Sequence, residues 1–317
     1  MLKSLYSGVS GMRSNQIKMD VIGNNIANVN TTAFKASRVK FQDMLNDTLS
    51  TAQSPDYSGR GGKNPKQVGL GTTVSSVDTI MTDGALQPTG RELDFAIENN
   101  GFFVVAESAK RGTTEEDING IKFTRDGAFY RDNEGNLVNA SGFKVLGYMP
   151  ADKDGDSIID YTKEPPEYNT GFDEVKAADK DNLNSLKIPV KIENSAGEIV
   201  SLETFNVDAS GQITAIYSDQ ESYVLGRVAI AKFKNPEGLD KLGSNTYGAT
   251  SNSGEIEYGV AGSDAFGSIK QGVLEMGNVD LANEFTEMII TSRAYQANSR
   301  SITTSDEMLQ ELLNLKR

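Results

Sequence analysis

The constellation in this chain whose residue types and spacing could do chemistry is the acidic run DKDGDSIID, residues 152–160. Asp152, Asp154, Asp156 and Asp160 stand at positions one, three, five and nine of an oxygen-ligand loop of the kind that wraps calcium. Two positions depart from that pattern. Ser157 occupies the place of the sharp-turn glycine, and Lys163 the place of the bidentate glutamate that closes the coordination shell. A solvated acidic loop is therefore the expected state, and these four aspartates are the metal-ligating candidates. If they did bind calcium, a calcium-stabilised extracellular adhesin would be the function class. The chain has no Cys and no His, which removes thiolate nucleophiles, Cys-ligated zinc and the commonest general base. No nucleophile–base pair can be pointed to, so no catalytic residue, cofactor-binding residue or cofactor is expected, and the chain is read as not an enzyme.

The rest of the information lies in the two ends. Leu2, Leu5, Val9, Met12, Gln16 and Met19 alternate spacings of three and four, and Ile22, Ile26 and Val29 continue with one shift. Leu281, Phe285, Met288, Ser292, Tyr295, Ser299, Ile302, Asp306, Leu309 and Leu313 repeat the alternation. Such spacing makes one narrow stripe on a helix, the seam of a coiled coil or of an ordinary antiparallel helix pair. Gln16, Ser292, Ser299 and Asp306 interrupt the stripes. Gly8, Gly11 and Gly23 each weaken the first helix by about 1 kcal/mol against Ala. Neither helix is expected to hold alone; both are expected to order when packed against each other and against neighbours.

A length of 317 residues allows two or three domains. The net charge of −13 is uneven: residues 1–50 carry six Lys/Arg against three Asp/Glu, and residues 279–317 four against six, so the middle is the acidic part. A body this acidic argues against nucleic-acid binding. No run of 18 apolar residues occurs, so no helical membrane span is expected. The N-terminus lacks a continuous apolar h-region, so no cleavable leader is expected.

Between the ends the texture is β. Residues 37–50 read as a short amphipathic helix, and residues 51–67, with three Gly and two Pro, as a long loop or extended linker. Alternating apolar positions in 74–81, 93–107, 123–148, 186–192, 199–208, 212–218 and 223–233 read as strands, punctuated by turn sequences such as Asn99-Asn100-Gly101, Asp126-Gly127, Glu134-Gly135 and Ser141-Gly142. The expected fold class is α+β: mainly-β central domains inserted between N- and C-terminal helices that pair as a coiled coil. The expected divisions are 1–35 with 279–317 as a discontinuous helical domain; 36–85 with 265–278 as connectors; 86–150 with 224–264 as a β domain; and 151–223 as a small outer β domain.

Four stretches resemble one family. The segment around Gly23-Asn24-Asn25-Ile26-Ala27-Asn28, followed by Asn30-Thr31 and Phe34-Lys35, resembles the N-terminal motif of the bacterial flagellar axial proteins of rod and hook. Residues 277–309 resemble their C-terminal motif, and residues 90–105 and 123–148 their shared β segments. Within the family, residues 4–12, 67–90 and 226–247 look like hook-protein segments, with the distal rod protein as the alternative.

The resemblance implies a subunit of a helical homopolymer, a hollow flexible tube that transmits torque from rod to filament. It implies as partners the flagellar rod and hook–filament junction proteins, the hook cap during assembly and the type III export apparatus, and a location outside the cell after export without a cleaved signal peptide. The thiol-dependent cross-links of some hooks are closed to a Cys-free chain. The assembly residues so implied are Leu5, Val9, Met12, Met19, Ile22, Asn24, Asn25, Ile26, Asn28, Phe34, Leu281, Phe285, Met288, Tyr295, Ile302 and Leu309. For Asn24, Asn25 and Asn28 two roles stand open: caps of the helix end, or amides that bridge neighbouring subunits.

Overall fold

A computed structural model describes residues 2–54, 61–109, 118–151, 159–160, 167–168, 174–175, 183–193, 198–263 and 266–315. The chain forms two compact units. The first comprises residues 1–29, 35–80 and 279–317; the second, residues 30–34 and 81–278.

The first unit holds two long helices and a hairpin arm. Helix α1 is Leu2–Ala27 and helix α2 is Leu281–Leu315. Helix α2 starts at Asp280, whose Oδ1 accepts hydrogen bonds from the Ala282 and Asn283 amides at 2.9 and 3.3 Å. This satisfies donors that a helix start leaves orphaned. Helix α1 ends where Asn28 donates its side-chain amide to the Asn24 carbonyl (2.9 Å), so the Asn-rich stretch competes with further helix as its composition predicts.

Residues 37–50, read from sequence as a helix, are instead strands β1 (Ser37–Asp43) and β2 (Asn46–Ser50). They pair antiparallel with β4 (Thr72–Thr79) and β3 (Lys66–Gly69). A short apolar run fits either period, and here the β-branched partner Thr72-Thr73-Val74 decides. Residues expected as a connector thus belong to the first unit. Within 51–67, Gln53 is bridged to Lys63, as a long loop allows, and residues 55–60 lie outside the described residues.

The second unit is β. Its strands are β5 (Leu86–Pro88), β6 (Phe95–Glu98), β7 (Phe102–Ala109), β8 (Ile118–Thr124), β9 (Phe129–Arg131), β10 (Leu137–Asn139), β11 (Lys144–Tyr148) and β12 (Pro150–Ala151). There follow β13 (Ile159–Asp160), β14 (Glu167–Tyr168), β15 (Glu174–Val175), β16 (Leu183–Ser185), β17 (Lys191–Glu193), β18 (Ile199–Val207), β19 (Gln212–Tyr217) and β20 (Ser222–Phe233). The last are β21 (Asp240–Gly243), β22 (Thr246–Gly248), β23 (Ile256–Val260), β24 (Ser268–Gln271) and β25 (Val273–Glu275).

The main sheet runs β13-β14-β17-β18-β19-β20-β11-β7-β8-β22-β21. Both faces of β7 are covered. Phe103 and Val105 enter one apolar cluster with Phe129 and Val145, while Phe102 and Val104 enter the other with Phe123 and Phe233. A strand buried on both sides reads as a continuous apolar run, which is why FFVV does not alternate.

Several turns fall as read. Hairpins join β9 to β10 at Gly135 and β10 to β11 at Gly142. Asp208 tightens the β18–β19 turn by accepting from the Ser210 and Gln212 amides. Two turn sequences do not join paired strands. Asn99-Asn100-Gly101 separates β6, which pairs with β24, from β7, which pairs with β8. At Asp126-Gly127 the backbone passes so close to the Phe95 carbonyl that a Cβ would not fit. Residues 265–278, expected as connector, supply β24 and β25, and the described β18 and β19 continue into β20 of the main sheet; much of the expected outer domain at 151–223 lies outside the described residues.

Candidate assembly surface

The candidate surface lies in the first unit, where α1 and α2 run antiparallel. Their register is set by Ser4 Oγ and Ser305 Oγ at 3.5 Å, by Gly8 against Ile302 and Gly11 against Asn298, and by the Lys18–Glu287 ion pair at 2.6 Å. The buried residues of α1 are Gly8, Gly11, Ser14, Ile22 and Asn25; those of α2 are Thr291 and Ser305. The contact therefore runs through small and polar side chains. A Cβ on Gly8 would lie 3.0 Å from Ile302 Cγ1, and one on Gly11 2.7 Å from Asn298 Nδ2. Gly8 and Gly11, two of the three glycines read from sequence as weak points, stand where the helices approach closely, whereas nothing lies within 4 Å of a Cβ on Gly23.

The apolar stripe of α1 is offset from that contact by one residue, about 100° around the helix. Leu5, Val9, Met12 and Met19 are half-buried, as are Ile26 and Asn28; Ile22 alone of the stripe is buried. On α2, Met288, Ile302 and Leu309 are half-buried, and Leu281, Phe285 and Tyr295 are exposed, Phe285 by 51%. Phe34 is half-buried and belongs to the second unit.

Among the three asparagines, Asn24 is exposed and Asn25 is buried. Asn25 donates to the Ser37 carbonyl (2.9 Å) and to Glu284 Oε1 (3.1 Å) and accepts from the Ser37 amide (3.0 Å). It ties α1, β1 and α2 within one subunit. Burial pushes the Glu284 carboxyl above its ordinary range, and the Asn25 hydrogen bond opposes that shift.

The arm also docks on α1. Thr72 donates its amide to Ser10 Oγ and accepts from Ser14 Oγ, both at 3.3 Å. Gly71, at φ +127°, lets the backbone come against Ser10.

Sequence reasoning missed much of the exposed apolar surface. Tyr6 (71%), Ile289 (63%), Ile290, Leu312, Leu313 and Leu315 (82%) face outward, and so do Leu45 and Leu49 on the arm. Leu313 closes the α2 stripe; the others carried their signal as apolar residues falling outside the stripes. Asp152, Asp154 and Asp156 lie outside the described residues, and Asp160 stands in β13. Among the described residues no cluster of carboxylates could hold a metal ion.

Comparison with known proteins agrees with this layout. Residues 5–35 match the family described as flagella basal body rod protein. Residues 96–215 match the flagellar hook protein FlgE/F/G D1 domain, and residues 270–315 the flagellar basal body rod FlgEFG protein C-terminal family. The flagellar basal-body rod protein FlgG of Bacillus subtilis is 39% identical over 318 residues, covering 100% of both chains. The flagellar hook protein FlgE of Borreliella burgdorferi is 32% identical over an alignment of 452 residues, again covering 100% of both. The FlgG of the same organism is 35% identical over 317 residues, 100% of both. Helical ends that pack through small residues and a mainly-β middle therefore belong to a structural chain: the protein is a member of the flagellar hook and rod family of axial proteins.

Proposed function

We propose that this chain is the subunit of the flagellar hook, polymerising through its first unit into a flexible hollow tube that transmits motor torque from rod to filament. The observation that carries the reading is the contrast between the two units. The second unit gathers most of its large apolar side chains into two clusters and leaves only a scattered few, such as Ile199 and Leu242, exposed among the described residues. The first leaves Tyr6, Phe285, Ile289, Ile290, Leu313 and Leu315 in solvent. Large apolar patches of this kind mark interaction surfaces, and burying each such side chain contributes about 1.5–3 kcal/mol. Neighbouring copies would cover them, while acidic second units remain as an outer layer whose like charges slide past one another. In this reading the partners are other copies, the rod, the hook–filament junction proteins, the cap and the export apparatus, and the chain works outside the cell.

The distal rod is the second reading. The two FlgG relatives align over 317 and 318 residues, whereas the hook relative needs 452, so the rod proteins match this chain with fewer insertions. Electron microscopy of particles assembled from the purified chain separates the two: curved tubes of uniform length support the hook, and straight ones the rod. Failure to form any tube would remove both.

A further inference from the structure

The two helices of the first unit differ in length, 26 residues in α1 and 35 in α2. With Ser4 against Ser305 and Gly8 against Ile302, the start of α1 falls near residue 307. Residues 308–315 of α2 thus continue past the end of α1, an overhang of roughly 12 Å at 1.5 Å per residue. Met308, Leu312, Leu313 and Leu315 on this overhang are all exposed.

At the other end of the same helix pair is an open groove of about 260 Å³. Val21, Val39 and Ile80 contribute apolar side chains to it, and Lys18, Arg38 and Glu287 charged ones. Lys18 and Glu287 pair with each other at 2.6 Å, which leaves Arg38 and Glu284 of the lining as the charges opposite in sign to the overhang's Glu311 and to the Lys316 and Arg317 that follow it in sequence. The overhang cannot fold back into its own groove. Residues 287 and 312 are joined by continuous helix, roughly 37 Å of it.

We infer that residues 308–315 of one copy seat in the groove lined by Val21, Val39 and Ile80 of a second copy, head to tail. Each copy then offers an overhang at one end and a groove at the other. A contact of this kind between unlike surfaces generates an open row of copies instead of a closed dimer. The inference rests on the axial-polymer reading above and names the surface that its longitudinal contact uses.

The chain has no cysteine, so an engineered pair reports cleanly. Leu313→Cys and Arg38→Cys chains are purified, mixed, assembled and oxidised, then run on a non-reducing gel. The expected result is a disulfide dimer at least tenfold stronger in the mixture than in either variant alone. Tubes that form with no enrichment in the mixture would overturn the inference and leave the polymer reading standing. A second measurement covers variants that fail to assemble: a fluorescent peptide of residues 303–317 is titrated into the dispersed full-length wild-type chain. Saturable binding, weakened at least tenfold by Val21→Asp, is expected, and absence of saturable binding overturns the inference. Peptide binding by a wild-type chain that forms no tubes would keep the groove as a docking site and sink the polymer reading.

Discussion

Replacing Gly8, Gly11 and Gly23 by alanine, one at a time, separates packing from propensity in α1. Each change gains about 1 kcal/mol of helix propensity. At Gly23 nothing lies within 4 Å of the position a Cβ would take, so the gain is kept whole and shifts the ratio of helical to unfolded ends about fivefold. At Gly8 the new methyl meets Ile302 Cγ1 at 3.0 Å. Isoleucine is stiff at χ1, and overpacking costs about 1–3 kcal/mol, so the net change runs from about zero to a loss of about 2 kcal/mol. At Gly11 the neighbour is Asn298 Nδ2 at 2.7 Å, the far end of a side chain that can swing aside, and the effect should fall between the other two. Far-ultraviolet helical ellipticity of the assembled chain, where the two helices are packed, followed through a urea titration, reads the order directly. A Gly8→Ala chain that gains as much helix as Gly23→Ala would refute the packing of α1 on α2 at that point.

Limited proteolysis of the dispersed chain should trim both ends and leave a β core within residues 81–278, because helices interrupted by glycine and polar residues are marginal in water; termini protected in dilute chain would contradict this. Met288→Asp or Ile26→Asp should abolish tubes while the second unit still folds, since an unpaired charge in a packed seam costs about 3–5 kcal/mol; normal tubes and motile cells would disprove the role of these half-buried positions. Deleting residues 51–67, which run from the end of β2 into the start of β3, should leave the second unit's melting unchanged while impairing or stiffening assembly, and ordinary hooks with ordinary swimming would refute an inter-subunit role. Asp154→Asn with Asp156→Asn should leave the melting temperature unchanged with or without calcium; a calcium-dependent rise of several degrees that the double variant loses would revive the ligand loop.

The sequence showed the helical ends, the β middle and most of the hairpins, because periods of 3.6 and 2 and glycine turns are local signals. It misplaced what depends on distant partners. Residues 37–50 carry enough apolar character for either period, and only the pairing of Ser37 with Thr79 and Asp43 with Thr72 settles them as strand. Local pattern could not show that β6 would pair with β24 while β7, three residues on, pairs with β8. On α1 the stripe of largest apolar residues suggested the contact face, yet the helices meet through Gly8, Gly11 and Asn25 one position away. Hydrophobicity reports which surface must be covered; it does not say by which partner, and small residues that permit close approach carry little hydrophobic signal.

The pairing of β6 with β24 and of β5 with β25 has a kinetic consequence. Glu98 meets Ser268 across 170 residues, and Pro88 meets Val273. Loop closure over such separations is slow, and folding rates fall as the mean separation of contacting residues grows. A chain delivered N-terminus first would be unable to complete this unit until residue 275 had emerged. Its β5 and β6 would stay unpaired for nearly the whole of that passage and would close their two ladders last. The same pairings that join the two ends of the second unit would thus act as a delay, holding back the completion of that unit until its last strands are available.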